Sequence, residues 1–265
     1  MRLQNKVIII TGSTTGIGKA IALRCVTEGA SVVIHGLEQD WGKEVIAEIG
    51  KDKAALHIED ISQDGFAQRL ADTAIKNFGK LDAVVNNAAW VVSSNIHTTD
   101  AAFFRKVFEV NTIAPFSLIK AALPWLRETH GCILNIGSVN AYCGEPNLLA
   151  YSVSKGALMT MTRNLGDSLF REDGVRVNQI NPGWVLTETE IKRKHEQGLS
   201  DDWYKNLNAV TAPAGRILLP AEIAAAAIYW LSDESSSISG QVLDIEQYPF
   251  VGRNPPKDAA TIEKK

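Results

Sequence analysis

At 265 residues, 45% of them hydrophobic and 22% charged, the chain suits one large α/β domain or two small ones, with ample material for a core. Its net charge of −3 and the lack of any dense basic run give no reason to expect a nucleic-acid or membrane partner. Cys25, Cys132 and Cys143 form no CxxC, and His57, His97, His130 and His195 show no metal spacing, so neither a disulfide framework nor a metal site is expected. The apolar run in MRLQNKVIIITG is too short for a signal peptide or a span, and with reduced thiols this predicts a cytoplasmic protein.

The first predicted strand, Val7–Ile10, runs straight into Thr11-Gly12-Ser13-Thr14-Thr15-Gly16-Ile17-Gly18 and a helix over Ile17–Glu28. Gly12 permits a tight turn, and Gly16 and Gly18 let a diphosphate approach the backbone. The helix N-terminus adds free N–H groups and a positive dipole end. Glycines also serve plain turns, but this one lies between a first strand and a helix, which points to a dinucleotide. Strand Ser31–Ile34 leads to His35-Gly36-Leu37-Glu38, where such folds place an acid for the ribose 2′-OH of NAD or an arginine for the phosphate of NADP. The usual acid position falls on Gly36. Glu38 is near enough to take the hydroxyl and would repel a phosphate, so NAD is preferred over NADP; a solvated surface acid is the plainer reading. Helix Trp41–Ile49 and strand Ala54–Ile58 follow, then Asp60, which reads as a helix N-cap before Gln63.

Helix Phe66–Phe78 and strand Leu81–Val85 lead to Asn86-Asn87-Ala88-Ala89. A long helix, Ala101–Arg127, carries Asn111 at its middle, where asparagine has poor propensity. Strand Cys132–Ile136 ends near Ser138, helix Ala150–Glu172 carries Tyr151 and Lys155, and strand Val175–Ile180 runs into Asn181-Pro182-Gly183. A polar, mostly helical insertion over 187–217 predicts a substrate lid, Gln241–Ile245 is the last strand, and a loose tail begins at about 253. The strands are nearly continuously apolar and alternate with helices. They therefore predict a single domain over 1–265, built of βαβ units around one parallel sheet of seven strands with helices on both faces.

Tyr151 and Lys155 lie four apart and so share one helix face. A free phenol titrates near about 10 and is a poor base. An ammonium and a cationic nicotinamide both favour the phenolate, and a shift of about three units needs roughly 4 kcal/mol. In isolation the pair reads as a surface Tyr and Lys. Ser138, at the C-terminal end of a central strand, is placed to hydrogen-bond a substrate oxygen and stabilise developing charge.

Together TGxxxGxG, Asn86-Asn87-Ala88-Ala89, Asn111, Ser138, Tyr151xxxLys155 and Asn181-Pro182-Gly183 resemble, in order and over nearly the whole chain, the short-chain dehydrogenase/reductase family. The resemblance implies a doubly wound, Rossmann-type fold in a homotetramer or homodimer using NAD or NADP. It makes Asn111, Ser138, Tyr151 and Lys155 a catalytic tetrad in which Asn111 holds a water that relays a proton from Lys155. The implied cofactor residues are Gly12, Ser13, Thr15, Gly16, Ile17, Gly18, Glu38, Asp60 and Ile61 at the adenosine diphosphate. Asn87, Ala88, Tyr151, Lys155, Pro182, Gly183, Val185 and Thr187 lie towards the nicotinamide, whose carboxamide Thr187 would bind. Thr15 and Leu37, basic in relatives that use NADP, are neutral here. Ala89 replaces a usual glycine, and Leu243–Tyr248 lacks the common DGG, leaving Tyr248, Phe250 and Arg253 within reach of an active site.

Ser93, Ser94, Asn95, Asn140, Glu145, Asn147 and Glu190 flank the expected pocket and, with Trp90, Tyr142, Trp184 and Trp203 as stacking platforms, predict a small sugar- or polyol-like substrate. Trp184 equally reads as a packing residue. One alternative is a 3-oxoacyl-carrier-protein reductase, which would need a basic patch that Arg163 and Arg171 barely supply. Another is a nucleotide sensor without turnover, which has no need of the tetrad.

Overall fold

The computed structural model describes residues 1–252. Seven strands form one parallel sheet: β1 (Val7–Ile10), β2 (Ser31–Gly36), β3 (Ala54–Ile58), β4 (Ala83–Asn86), β5 (Cys132–Ile136), β6 (Arg176–Pro182) and β7 (Val242–Ile245). Their order is β3-β2-β1-β4-β5-β6-β7. Side chains alternate between the two faces of each strand, so a strand buried on both sides must be apolar throughout. Ile8, Ile10, Val32 and Ile34 pack with α1 (Gly16–Thr27), α2 (Gln39–Ile49) and α9 (Pro220–Leu231). Val7, Ile9 and Val33 pack on the other face with α3 (Phe66–Phe78), α5 (Ala114–Thr129) and α7 (Leu149–Asp173). Each such side chain, fully buried, contributes about 1.5–3 kcal/mol.

The predicted helix over 101–127 is two helices, α4 (Ala101–Phe108) and α5, joined by a wide π turn at Glu109–Ile113. The extra residue in that turn directs Asn111 inward, where it is fully buried. Helix α9 was not anticipated. Its signals were present: Pro220 sits in the first turn, and Glu222 accepts the Leu219 N–H at 2.7 Å. The insertion after β6 is less helical than expected. It holds α8 (Glu188–Glu196) and a single short turn at Trp203–Lys205. Its base is closed by a bridge between Val185 and Leu218, and Trp203, Ala212 and Ile217 form a small core of its own. The expected loose tail, with Arg253, lies outside the described residues. Among the described residues no helix is long and apolar enough to cross a membrane.

Candidate active site

β2 and β4 flank β1, so chain connections leave β1 in opposite directions and the strand ends part there. A cleft of about 910 Å³ opens along that edge. Its floor begins with the glycine turn after β1. A Cβ on Gly18 would lie 2.3 Å from the Gly12 carbonyl oxygen and 2.5 Å from Asn87 Nδ2, so only glycine fits. Asn87 fastens the turn, its Nδ2 donating to the carbonyls of Thr11 (2.9 Å) and Gly12 (3.0 Å). Gly12 N–H donates to His35 Nδ1 at 3.3 Å, a support that no motif announced. At the start of α1 the Gly16 N–H donates to the Glu188 carboxylate at 3.2 Å. A carboxylate of the chain thus stands where the helix terminus favours an anion, and the cradle fits a diphosphate.

Of the residues expected at the nucleotide, Gly12, Thr15, Gly16, Ile17, Glu38, Asp60 and Ile61 line this end of the cleft. Two do not. Ser13 is buried, its hydroxyl donating to the Ile10 carbonyl and accepting the His35 N–H, and Gly18 lies beneath the turn. The absent acid at Gly36 has a steric cause: a Cβ there would lie 2.5 Å from the Thr14 side chain. Glu38, two residues on, is exposed. Asp60 is no helix cap, since α3 begins only at Phe66; its carboxylate instead accepts the Ser62 N–H and hydroxyl, each at 2.8 Å.

At the other end Asn87, Ala88, Ser138, Tyr151, Lys155, Pro182, Gly183, Val185 and Thr187 share the cleft wall. The Thr187 hydroxyl caps α8, accepting the Glu190 N–H at 3.1 Å. Lys155 is buried, its Nζ donating to the Ile136 carbonyl at 2.7 Å and lying 5.7 Å from the Tyr151 ring centre. Burial without a paired carboxylate pulls the ammonium down to about 7. Burial also raises Tyr151; the Ser138 hydroxyl, hydrogen-bonded to the phenol, and the Arg193 guanidinium act the other way, and Glu145 adds to the rise. Lysine therefore does not by itself make the phenol acidic here, because desolvation opposes both charges.

Asn111 stands behind this wall rather than in it. Its Oδ1 accepts the Trp90 N–H at 2.7 Å, and its Nδ2 donates to the Trp90 carbonyl and to Ser154 Oγ. It thereby fixes the segment that presents Trp90 to the cleft. Two of the expected stacking residues are displaced as well. Tyr142 donates to Asp244 at 3.1 Å and does not line the cleft. Trp203 is buried behind Trp184, their rings stacked at 5.0 Å, and only Trp184 faces the cleft. Such a pair adds about 0.5–1.5 kcal/mol beyond its buried area.

On α8 the sequence points to Glu190 as a polar residue at the pocket but assigns no role to Arg193 or Lys194. Glu190 is buried, accepts the Trp184 indole N–H at 2.8 Å and pairs with Arg193 at 2.7 Å; Arg193 and Lys194 both reach the cleft. Glu246, in the segment that lacks DGG, lines the cleft too, and its carboxylate accepts the N–H groups of Trp184 and Gln247. Tyr248 and Phe250 close the same end from within their own chain.

Comparison with known proteins agrees with this geometry. A family model described as enoyl-(acyl carrier protein) reductase matches residues 12–247. L-fucose dehydrogenase of Mus musculus is 36% identical over 242 residues, 90% of this chain and 86% of its own. Glucose 1-dehydrogenase 2 of Bacillus subtilis is 35% identical over 250 residues, 92% and 94% of the two chains. NADP-dependent (R)-specific alcohol dehydrogenase of Lentilactobacillus kefiri is 33% identical over 243 residues, 90% and 94%. The chain belongs to the short-chain dehydrogenase/reductase family and is an NAD(P)-dependent oxidoreductase acting on CH–OH groups.

Proposed function

We propose that the substrate is a small polyhydroxylated, sugar-like alcohol or the matching ketone, and that Tyr151 is the acid–base. The observation that carries this reading is the convergence of Ser138, Tyr151 and Lys155 on one cleft walled by Trp90 and Trp184. Indole faces suit the C–H faces of sugars, and Asn140, Glu145 and Glu190 supply hydroxyl partners. The names of the fucose and glucose dehydrogenases support the same class. The bound nicotinamide supplies the hydride acceptor or donor. In oxidation the substrate C–H leaves as hydride while its O–H proton passes to Tyr151 Oη; reduction reverses both. Ser138 Oγ donates to the substrate oxygen, and Lys155 holds the nicotinamide ribose and returns the proton towards solvent. Asn111 acts indirectly in this reading, by fixing the segment that presents Trp90 to the cleft. Nicotinamide absorbance with a panel of sugars and polyols tests the reading; activity confined to acyl thioesters would refute it. The carrier-protein alternative gains nothing from Arg171, which is exposed and already paired with Asp167 at 2.5 Å.

NAD is the favoured cofactor in this reading. Glu38 lines the cleft where a 2′-phosphate would lie, and Thr15 and Leu37 offer it no cation. Glu38→Arg is expected to move the NAD to NADP ratio of kcat/KM by at least about tenfold towards NADP, since one charge reversal near a phosphate is worth about 1–3 kcal/mol. An unaltered protein that already prefers NADP by about tenfold overturns this assignment.

The 187–217 insertion is the lid of this reading, hinged at Thr187 and Leu218. Amide exchange across 188–208 is expected to be faster in the free protein than in a ternary complex. Trp203→Ala, which removes the support of Trp184, is expected to raise KM for substrate more than for cofactor. Equal exchange and unchanged kinetics would make the segment a static wall. A homotetramer or homodimer is the assembly we expect. Phe116 on α5 and Val153 on α7, each 45% exposed, are apolar enough to be covered by a second copy.

A further inference from the structure

Six charged side chains besides Lys155 line the substrate end of the cleft: Lys106, Arg193, Lys194, Glu145, Glu190 and Glu246. Their formal charges balance, but their bonding does not. Glu190 is committed to Arg193 and the Trp184 indole, and Glu246 to two backbone N–H groups. The cations are less committed. Lys106 lies over the Trp90 ring at 5.2 Å and Lys194 over the Trp184 ring at 5.6 Å; among the described residues neither is paired with a carboxylate. Arg193 gives its Nε and Nη2 to Glu190, at 2.8 and 2.7 Å, and its Nη1 makes no hydrogen bond among the described residues.

That guanidinium is also unusually fixed for a residue on an insertion. Its partner Glu190 is buried and anchored to Trp184, which is stacked on the buried Trp203. A planar donor held on one edge and open on the other is prepared for a planar or tetrahedral oxyanion. It lies within electrostatic reach of the reacting oxygen, since it favours the ionised form of Tyr151.

We propose that Arg193 is a specificity-determining residue that binds an oxyanion of the substrate, a carboxylate or a phosphate on a polyhydroxylated chain, with Lys194 and Lys106 flanking it. The inference rests on the polyol dehydrogenase reading of this cleft and narrows it to charged sugar derivatives. A neutral polyol makes no use of the open guanidinium edge, whereas an anion gains a charge-assisted hydrogen bond that a neutral hydroxyl cannot match.

The test is a matched set on the full chain: glucose, glucuronate, gluconate and glucose 6-phosphate, with the same set for galactose. The expected result is a kcat/KM at least tenfold higher for a charged member than for its neutral parent, and the acid and phosphate arms tell the two anion sources apart. Arg193→Gln should reduce that ratio at least tenfold, with Arg193→Lys recovering part of it. Retained cofactor binding, followed by fluorescence, shows that the variants are folded. If they are not, the effect of ionic strength on the same ratio in the unaltered protein decides: a ratio that does not fall with added salt overturns the proposal. Neutral sugars as the best substrates, with the ratio unmoved by Arg193→Gln, would also overturn it while leaving the dehydrogenase reading intact. Turnover with no polyol, charged or neutral, would instead defeat that reading and the inference with it.

Discussion

Tyr151→Phe is expected to lower turnover by about 10²–10⁴, the range that a positioned acid–base supplies, while cofactor affinity stays within about threefold. The phenol is buried between Ser138 and Lys155, and the substitution deletes one oxygen without opening a cavity. The glycine turn and Lys155 are untouched, so the nucleotide keeps its holds. Burial raises the Tyr151 pKa in the free protein while Ser138 and Arg193 act against it, so in the proposed base role a cationic nicotinamide would add to their effect. The residual rate of the variant should accordingly lose most of the pH dependence of kcat/KM. A rate within about tenfold of the unaltered enzyme would remove Tyr151 from the acid–base role.

Gly18→Ala is expected to damage both stability and nucleotide binding. Its new methyl would sit 2.3 Å from the Gly12 carbonyl oxygen, and that atom is backbone and has no rotamer to yield. Relief requires the turn to open, which breaks the two bonds from Asn87. Overpacking of this kind costs about 1–3 kcal/mol, a fall of several degrees in melting temperature for a domain of this size. The displaced turn should weaken cofactor binding by at least about tenfold, the equivalent of about 1.4 kcal/mol. Gly156→Ala is the control. Gly156 lies inside helix α7, and a Cβ there would come no nearer than 3.4 Å to its closest neighbour, the Ala141 carbonyl oxygen, so the change should be neutral or stabilising by up to about 1 kcal/mol. Equal melting temperatures and affinities for the two variants would show that the turn tolerates a side chain.

The seven strands were legible because burial on both faces demands unbroken apolar runs, and these are visible in single sequences. Their ends shifted by a residue or two, as at β4 and β6. The proposed tetrad comes from a family resemblance in motif order, and three of its members, Ser138, Tyr151 and Lys155, line one cleft. Their surroundings were not legible. The π turn at Asn111 obeys no periodicity, and a helix of the right length was read straight through it. Trp203 was read as a sugar platform because aromatic residues on a polar insertion suggest exposure. The contact with Trp184 that buries it depends on how the insertion folds back, which no local pattern encodes. Glu190 is legible as a polar neighbour of the pocket, but Arg193 and Lys194 read as an ordinary charged helix face, and only the docking of α8 against the cleft brings them to it.

The contact between Glu188 and Gly16 ties the phosphate end of the cleft to the first turn of α8. A diphosphate bound at Gly16 would compete with a tethered carboxylate as well as with water, so its affinity would be reduced by the strength of that exposed internal bond, about 0–1 kcal/mol. Release of Glu188 frees the first turn of α8, and five residues further on that helix carries Arg193. The reciprocity of linkage then applies: whatever free energy the nucleotide gains or loses through α8, the substrate gains or loses equally. Glu188 thus joins the phosphate end of the cleft to the helix that carries Arg193, and any such coupling would show as a shift in substrate KM with Glu188→Gln.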